Sequence, residues 1–126
     1  MPAPDYLSNT LERTYPRGLD AEIFTFPALE RSNLAAKQPY EREHVTPYIY
    51  RHPELFVLEN FPGPVDLSFH RWTLDTEEDW RLIDAIYSVL GKKEPCFGTQ
   101  AVLQLLELQP ELVNINAYVE QKKLGA

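Results

Sequence analysis

Glycine is scarce and scattered in this 126-residue chain. Its five glycines stand alone at positions 18, 63, 91, 98 and 125, so neither a G-x-G-x-x-G fingerprint nor a P-loop exists. A nucleotide phosphate cradled by backbone amides would need groups from elsewhere. Cysteine is nearly absent too. The single thiol, Cys96, excludes an internal disulfide and suits a reducing cytoplasm. It has no activating neighbour beyond Lys92 and Lys93, so a packed thiol is expected rather than a nucleophile. Positive charge is short as well: 12 Lys and Arg against 19 Asp and Glu leave a net charge of -7. That balance argues against nucleic acid as a partner. No apolar run approaches the ~20 residues of a membrane span. The opening Met-Pro-Ala-Pro-Asp-Tyr has neither the basic nor the apolar region of a secretory signal. A cytoplasmic location, with no membrane partner, is the expectation. Glu43-His44, His52 and His70 lack HExxH or Cys/His spacing, which argues against zinc. Ser68, His70 and Asp75 could form a triad only on paper, because no nucleophile elbow accompanies them.

What is present is ordinary for a globular protein: 44% apolar and 25% charged residues. The length suits a single domain over residues 1–126. Eleven prolines exceed the usual ~5% share, and they separate the periodic segments, so they mark turns. Strands are predicted over residues 5–8, 21–26, 56–61 and 67–74, from their β-branched and aromatic content. A loop over 9–18 follows the first. Pro27 opens a helix over 28–37. The stretch 40–52 reads as helical but divided at Pro47, with Thr46 as a second helix start and Pro53 as the stop.

The most secure helix runs from Glu77 to Leu90. Trp80, Ile83, Ile86, Tyr87 and Leu90 recur at helical spacing, and Gly91 follows as a C′ residue. Thr76 is its N-cap, with Asp79 three residues on as a short-armed capping box. Thr99 to Leu108 is a last helix with Val102, Leu105 and Leu106 as its stripe; Pro110 ends it, and residues 112–123 hold a further turn or two. Strands alternating with helices point to α/β. Asp75 then falls at a strand tip just before a helix, the sheet edge where α/β proteins bind ligands and metals. On spacing alone, a helix lead-in is the safer reading of Asp-Thr-Glu-Glu-Asp than a Mg²⁺ ligand. Arg13 and Arg17 flank Tyr15 ahead of Asp20. Asp20 and Glu22 share one face of the next strand, where they suit sugar hydroxyls, a cation or an ion pair with those arginines.

Four stretches occur together in order: Asp5-Tyr6-Leu7-Ser8-Asn9, Arg13 to Glu22, Tyr40 to Ile49 (Tyr-Glu-Arg-Glu-His-Val-Thr-Pro-Tyr-Ile) and Arg71 to Asp79 (Arg-Trp-Thr-Leu-Asp-Thr-Glu-Glu-Asp). With them the chain resembles the C-terminal half of the spore coat polysaccharide biosynthesis cytidylyltransferases, SpsF-like members of the acylneuraminate and KDO cytidylyltransferase superfamily. The resemblance implies a partial GT-A-like nucleotidyltransferase fold, a mixed sheet with flanking helices. It implies transfer of CMP from CTP to a sugar, with Mg²⁺. It matches Asp75 to the second metal-binding aspartate. It places Arg17, Asp20, Glu22, Arg42, Glu43 and His44 on the acceptor-sugar side. The family's nucleotide-gripping loop and first metal aspartate are missing from this sequence. The expectation is therefore a portion inactive alone, completed by an N-terminal half. The alternative is a non-catalytic dimerisation or binding module derived from such an enzyme. An exposed apolar surface is expected, and with it a tight homodimer or poor solubility.

Overall fold

A computed structural model describes residues 3–124. The chain divides into two compact units. The first takes the chain up to Tyr15, Asp20–Asp66 and the segment from Gln121 on; the second takes Pro16–Leu19 and Leu67–Glu120.

The first unit holds β1 (Tyr6–Ser8), β2 (Glu22–Phe24), α1 (Phe26–Ala35), α2 (Pro39–His44), α3 (Pro47–Tyr50) and β3 (Leu58–Asn60). Its sheet has the order β2-β1-β3 and is mixed. Tyr6 faces Phe24 across an antiparallel pair and Leu58 across a parallel one. With side chains alternating along a strand, Tyr6 and Ser8 turn inward and are buried. Tyr6 joins Ala28, Ile49 and Phe56 in the core, with Phe24, Tyr48, Tyr50 and Leu58 packed around them. α1 begins one residue earlier than proline alone suggests, because the Thr25 hydroxyl accepts from the Ala28 N–H at 3.2 Å and acts as its cap. α2 is fixed at its start by buried Glu41, whose carboxylate accepts the N–H groups of Lys37 and Gln38, each at 2.9 Å. The helical stretch is divided as expected, with α2 ending at His44 and α3 starting at Pro47.

The second unit holds α4 (Glu77–Leu90), α5 (Thr99–Leu108) and a 3₁₀ helix over Pro110–Ile115. Leu82, Ile86, Val102, Leu105 and Leu106 form its core. Several sequence expectations are corrected in this unit. Residues 67–74 are not a strand. Only an isolated parallel bridge between Arg17 and Arg71 forms there, through Arg17 N–H to His70 C=O (3.0 Å) and Trp72 N–H to Arg17 C=O (2.7 Å). Asp75 accordingly sits in a turn, not at a strand tip. The buried side of α4 is also rotated from the predicted one: Asp79, Leu82 and Ile86 are buried, while Trp80 and Tyr87 are exposed. Gly91 closes α4 in right-handed backbone, so no left-handed cap is needed there. Lastly, Cys96 is exposed rather than packed. Gly18 shows a real need for glycine. Its φ is +107°, and a Cβ would lie 2.3 Å from the Trp72 carbonyl oxygen. Among the described residues, no helix is long and apolar enough to cross a membrane.

Candidate functional site

In the first unit, side chains from the loop after β1, from β2 and from the α2–α3 junction converge on an open cleft of about 630 Å³. Thr10, Arg13, Asp20, Glu22, His44, Thr46 and Tyr50 line it. Arg13 and Asp20 form a two-pronged ion pair at 2.8 and 3.0 Å, so one of the open readings of these residues is realised. Glu22 is held differently. The Tyr6 phenol donates to it at 2.5 Å, and the Thr46 hydroxyl reaches its two oxygens at 2.9 and 3.2 Å. Burial, and then the bond to Glu22, push the Tyr6 phenol up to about 12. It therefore stays a donor across the whole physiological range. Two neutral hydroxyls orient the Glu22 carboxylate without cancelling its charge, which leaves it a directed acceptor for a ligand hydroxyl.

His44 lines this cleft and a neighbouring one of about 640 Å³, shared with Gln38, Tyr40, Glu43, Lys122 and Lys123. His44 Nε2 lies 3.8 Å from the Glu43 carboxylate. The chain between His44 and Thr46 is unusual. Val45 adopts φ 72°, ψ -53°, and the Thr46 N–H donates to the His44 carbonyl at 2.9 Å. This is the positive-φ form of the γ-turn, which is rare and strained. Thr46, which precedes Pro47, sits at φ -94°, ψ -12°, in the helical region that a following proline disfavours. Two adjacent residues in such backbone cost about 1–3 kcal/mol each.

Of the acceptor-side residues expected from sequence, Asp20, Glu22 and His44 meet in one cleft, and Glu43 stands in the adjoining one. Arg42 is turned elsewhere: its guanidinium donates to the carbonyl and side-chain oxygens of Asn33, both at 2.8 Å, at the end of α1. Arg17 belongs to the second unit. Tyr6, Thr46 and Tyr50 were not anticipated as site residues.

The second unit carries Asp75. Its neighbour Asp79 is fully buried and accepts from Arg71 Nε (2.9 Å), Arg71 guanidinium NH2 (3.0 Å), Thr73 hydroxyl (2.8 Å), Asp75 N–H (3.0 Å) and Asn116 amide (2.9 Å). Burial alone would raise its pKa, but these donors outweigh it and hold the carboxyl well below the usual carboxylate range. Arg71 is thus committed to Asp79, and it touches Asp75 only at 3.6 Å. The Asp75 side chain is 65% exposed. A single accessible carboxylate fits the way Mg²⁺ is usually held, by one or two carboxylates completed by phosphates and water. Among the described residues, no group of three or more potential ligands gathers to form a metal cage. His70 is buried beside Phe69 and Trp72, at ring distances of 4.1 and 5.3 Å, and burial pushes its imidazole pKa down.

No protein-family model matches the chain. An uncharacterized protein of Methanocaldococcus jannaschii is 39% identical over 109 residues, covering 83% of this chain and 43% of the relative. The spore coat polysaccharide biosynthesis protein SpsF of Bacillus subtilis is 30% identical over 99 residues, 76% of this chain and 41% of SpsF. A solved cytidylyltransferase from Leptospira borgpetersenii serovar Hardjo-bovis matches with a TM-score of 0.79 and 29% identity, over 94% of this chain and 48% of that one. The chain spans less than half the length of each of these relatives. The chain is thus similar in sequence to SpsF and in backbone to a cytidylyltransferase.

Proposed function

We propose that this chain supplies the acceptor-sugar side and the second metal ligand of a sugar cytidylyltransferase serving surface or spore coat polysaccharide biosynthesis. In this reading it is the C-terminal portion of a GT-A-like fold, and alone it turns over no CTP. The observation that carries the reading is the cleft around Glu22. A carboxylate oriented by two hydroxyls, beside Asp20 and His44, suits a polyhydroxylated ligand, and it stands in a backbone matched to a cytidylyltransferase over 94% of its length. The reaction is in-line attack of a sugar oxygen on the α-phosphorus of CTP, with pyrophosphate leaving. Asp20 and Glu22 accept hydrogen bonds from sugar hydroxyls and fix the attacking oxygen's direction, and His44 bounds the cleft beside them. Asp75 is the residue that would hold Mg²⁺, which when bound offsets charge on the phosphates. Nothing in this sequence supplies a glycine-rich grip for the triphosphate.

The test is pyrophosphate release. The purified chain with CTP, Mg²⁺ and a panel of sugars is expected to release none, and a polypeptide carrying the nucleotide-gripping half is expected to restore release. In that reconstituted system Glu22→Gln raises the sugar KM about tenfold, the worth of one charge-assisted hydrogen bond. CTP turnover by the chain alone refutes the claim of dependence. A reconstituted system indifferent to Glu22 refutes the cleft assignment. A second reading, a dimerisation or binding module without catalysis, is favoured by the exposed Ile23, Phe26 and Leu34. It predicts self-association with no response to CTP or Mg²⁺ under any pairing.

A further inference from the structure

We infer that Val45 is a positioning residue, whose γ-turn serves the cleft and not the stability of the fold. The inference rests on the acceptor-site reading above for its purpose, but its geometry stands apart from that reading. A β-branched side chain at positive φ is disfavoured, and at Val45 it gains little in return, because the residue is 46% exposed. The next residue compounds the strain by taking helical backbone before a proline. Strain of this kind persists only where the surroundings over-determine it. The surroundings here are identifiable. Thr46 is 5% exposed; its hydroxyl is bonded to Glu22, and its carbonyl accepts the N–H of Ile49 at 2.9 Å and of Tyr50 at 3.3 Å.

The turn has one geometric consequence. It reverses the chain within three residues, so that His44, the last residue of α2, and Thr46, the residue capping α3, both line the same cleft. Valine is stiffer than glycine at this position. It therefore limits the wrong conformations of the turn as well as tolerating the right one poorly. The turn places His44 and Thr46 on the same cleft, with the Thr46 hydroxyl in reach of Glu22.

Val45→Gly relieves the positive-φ cost but also frees the backbone. The expected result is a folded protein, with unchanged Tm and an unchanged NMR amide spectrum away from the turn. In that variant the ring C–H signals of His44 broaden or move to the free-histidine position, and exchange of the Thr46 amide speeds at least tenfold. D-alanine at position 45, introduced by peptide ligation, favours positive φ without the added freedom and is expected to restore both signals. A glycine variant with unaltered His44 and Thr46 signals overturns the inference. So does one that fails to fold, since the side chain would then serve the core. Binding of a monosaccharide panel, read by saturation transfer, is measured alongside. Loss of binding in the glycine variant and its return with D-alanine support the positioning role. Absence of any sugar binding to the unaltered chain counts against the acceptor-site reading, while the NMR signals alone still decide the turn.

Discussion

At the scale of single residues, the strongest constraint is the Asp79 carboxylate. It is fully buried, and five donors from four residues converge on it. Such a pair is not strong evidence of net stabilisation, but breaking it leaves the buried Arg71 guanidinium without its principal acidic partner. Asp79→Asn is expected to cost about 3 kcal/mol, at the low end for a severed buried pair, with the loss read from urea denaturation. The pH dependence has a definite sign. The carboxyl pKa is lower in the folded state than its value of ~3.9 in an unfolded chain. Its contribution is therefore complete above about pH 4 and is lost as pH falls below that value. Asp79→Asn lacks this increment, so its stability falls less steeply than that of the unaltered protein on acidification from pH 4. Equal slopes would show that Asp79 keeps an ordinary pKa. Tyr6 works in the opposite direction: its pKa is raised to about 12 from ~10. Its share of stability is present below pH 10 and fades between about 10 and 12.

At the scale of elements, α4 shows both how far the sequence reaches and where it stops. Its limits, Glu77 and Leu90, follow from an N-cap threonine, an acidic first turn and a closing glycine, all local signals. The Thr76 hydroxyl does accept the Asp79 N–H, at 3.2 Å. Thr76→Ala is expected to lower stability by about 1 kcal/mol, measured as a shift in the urea midpoint with an unchanged slope. The reciprocal arm of the anticipated capping box is different, because the Asp79 side chain bonds the Asp75 N–H. The inward face of α4 was illegible for the same reason. Periodicity sorts residues by apolarity, so it draws Trp80 and Tyr87 inside and does not count Asp79, which shares a helical face with Ile83 and Ile86. Partners eight and 37 residues away, Arg71 and Asn116, draw Asp79 inward. In α5 no buried charge competes, and Val102, Leu105 and Leu106 are buried as their spacing indicates. Residues 67–74 have strand-like composition but find one bridging partner at Arg17 in place of a ladder. The site divides along similar lines. Asp20, Glu22 and His44, singled out by motif, line one cleft, where Thr46 and Tyr50 join them from α3 and its cap, while buried Tyr6 on β1 bonds Glu22. Arg42 is not among the residues lining that cleft, and its guanidinium is bonded to Asn33 in α1.

At the scale of the whole molecule, charge and apolar exposure pull against each other. A net charge of -7 favours dispersal. Yet Ile23 (69% exposed), Phe26 (73%) and Leu34 (78%) are open in the first unit. Ile23 sits on β2, which is an edge strand because the sheet order is β2-β1-β3. An edge strand offers unpaired backbone groups to another chain, and here an exposed isoleucine stands beside them with Phe26 two residues beyond the strand. Large exposed apolar side chains at an unprotected edge mark a surface that another chain covers. The expected behaviour is self-association through β2, with a scattering mass near twice that of the single chain and rising with concentration. Ile23→Lys places a like charge at the centre of such a contact and is expected to shift the equilibrium toward monomer, since charged edges are how sheets resist pairing. The substitution lies on the exposed side of β2, so the Tyr6–Phe24 pair on the inward side and the core around it should be untouched. Added salt separates the two forces: it screens the repulsion between acidic copies and leaves the apolar contact in place, so association should strengthen with ionic strength. A chain that stays monomeric at millimolar concentration in high salt would show that β2 is not the contact.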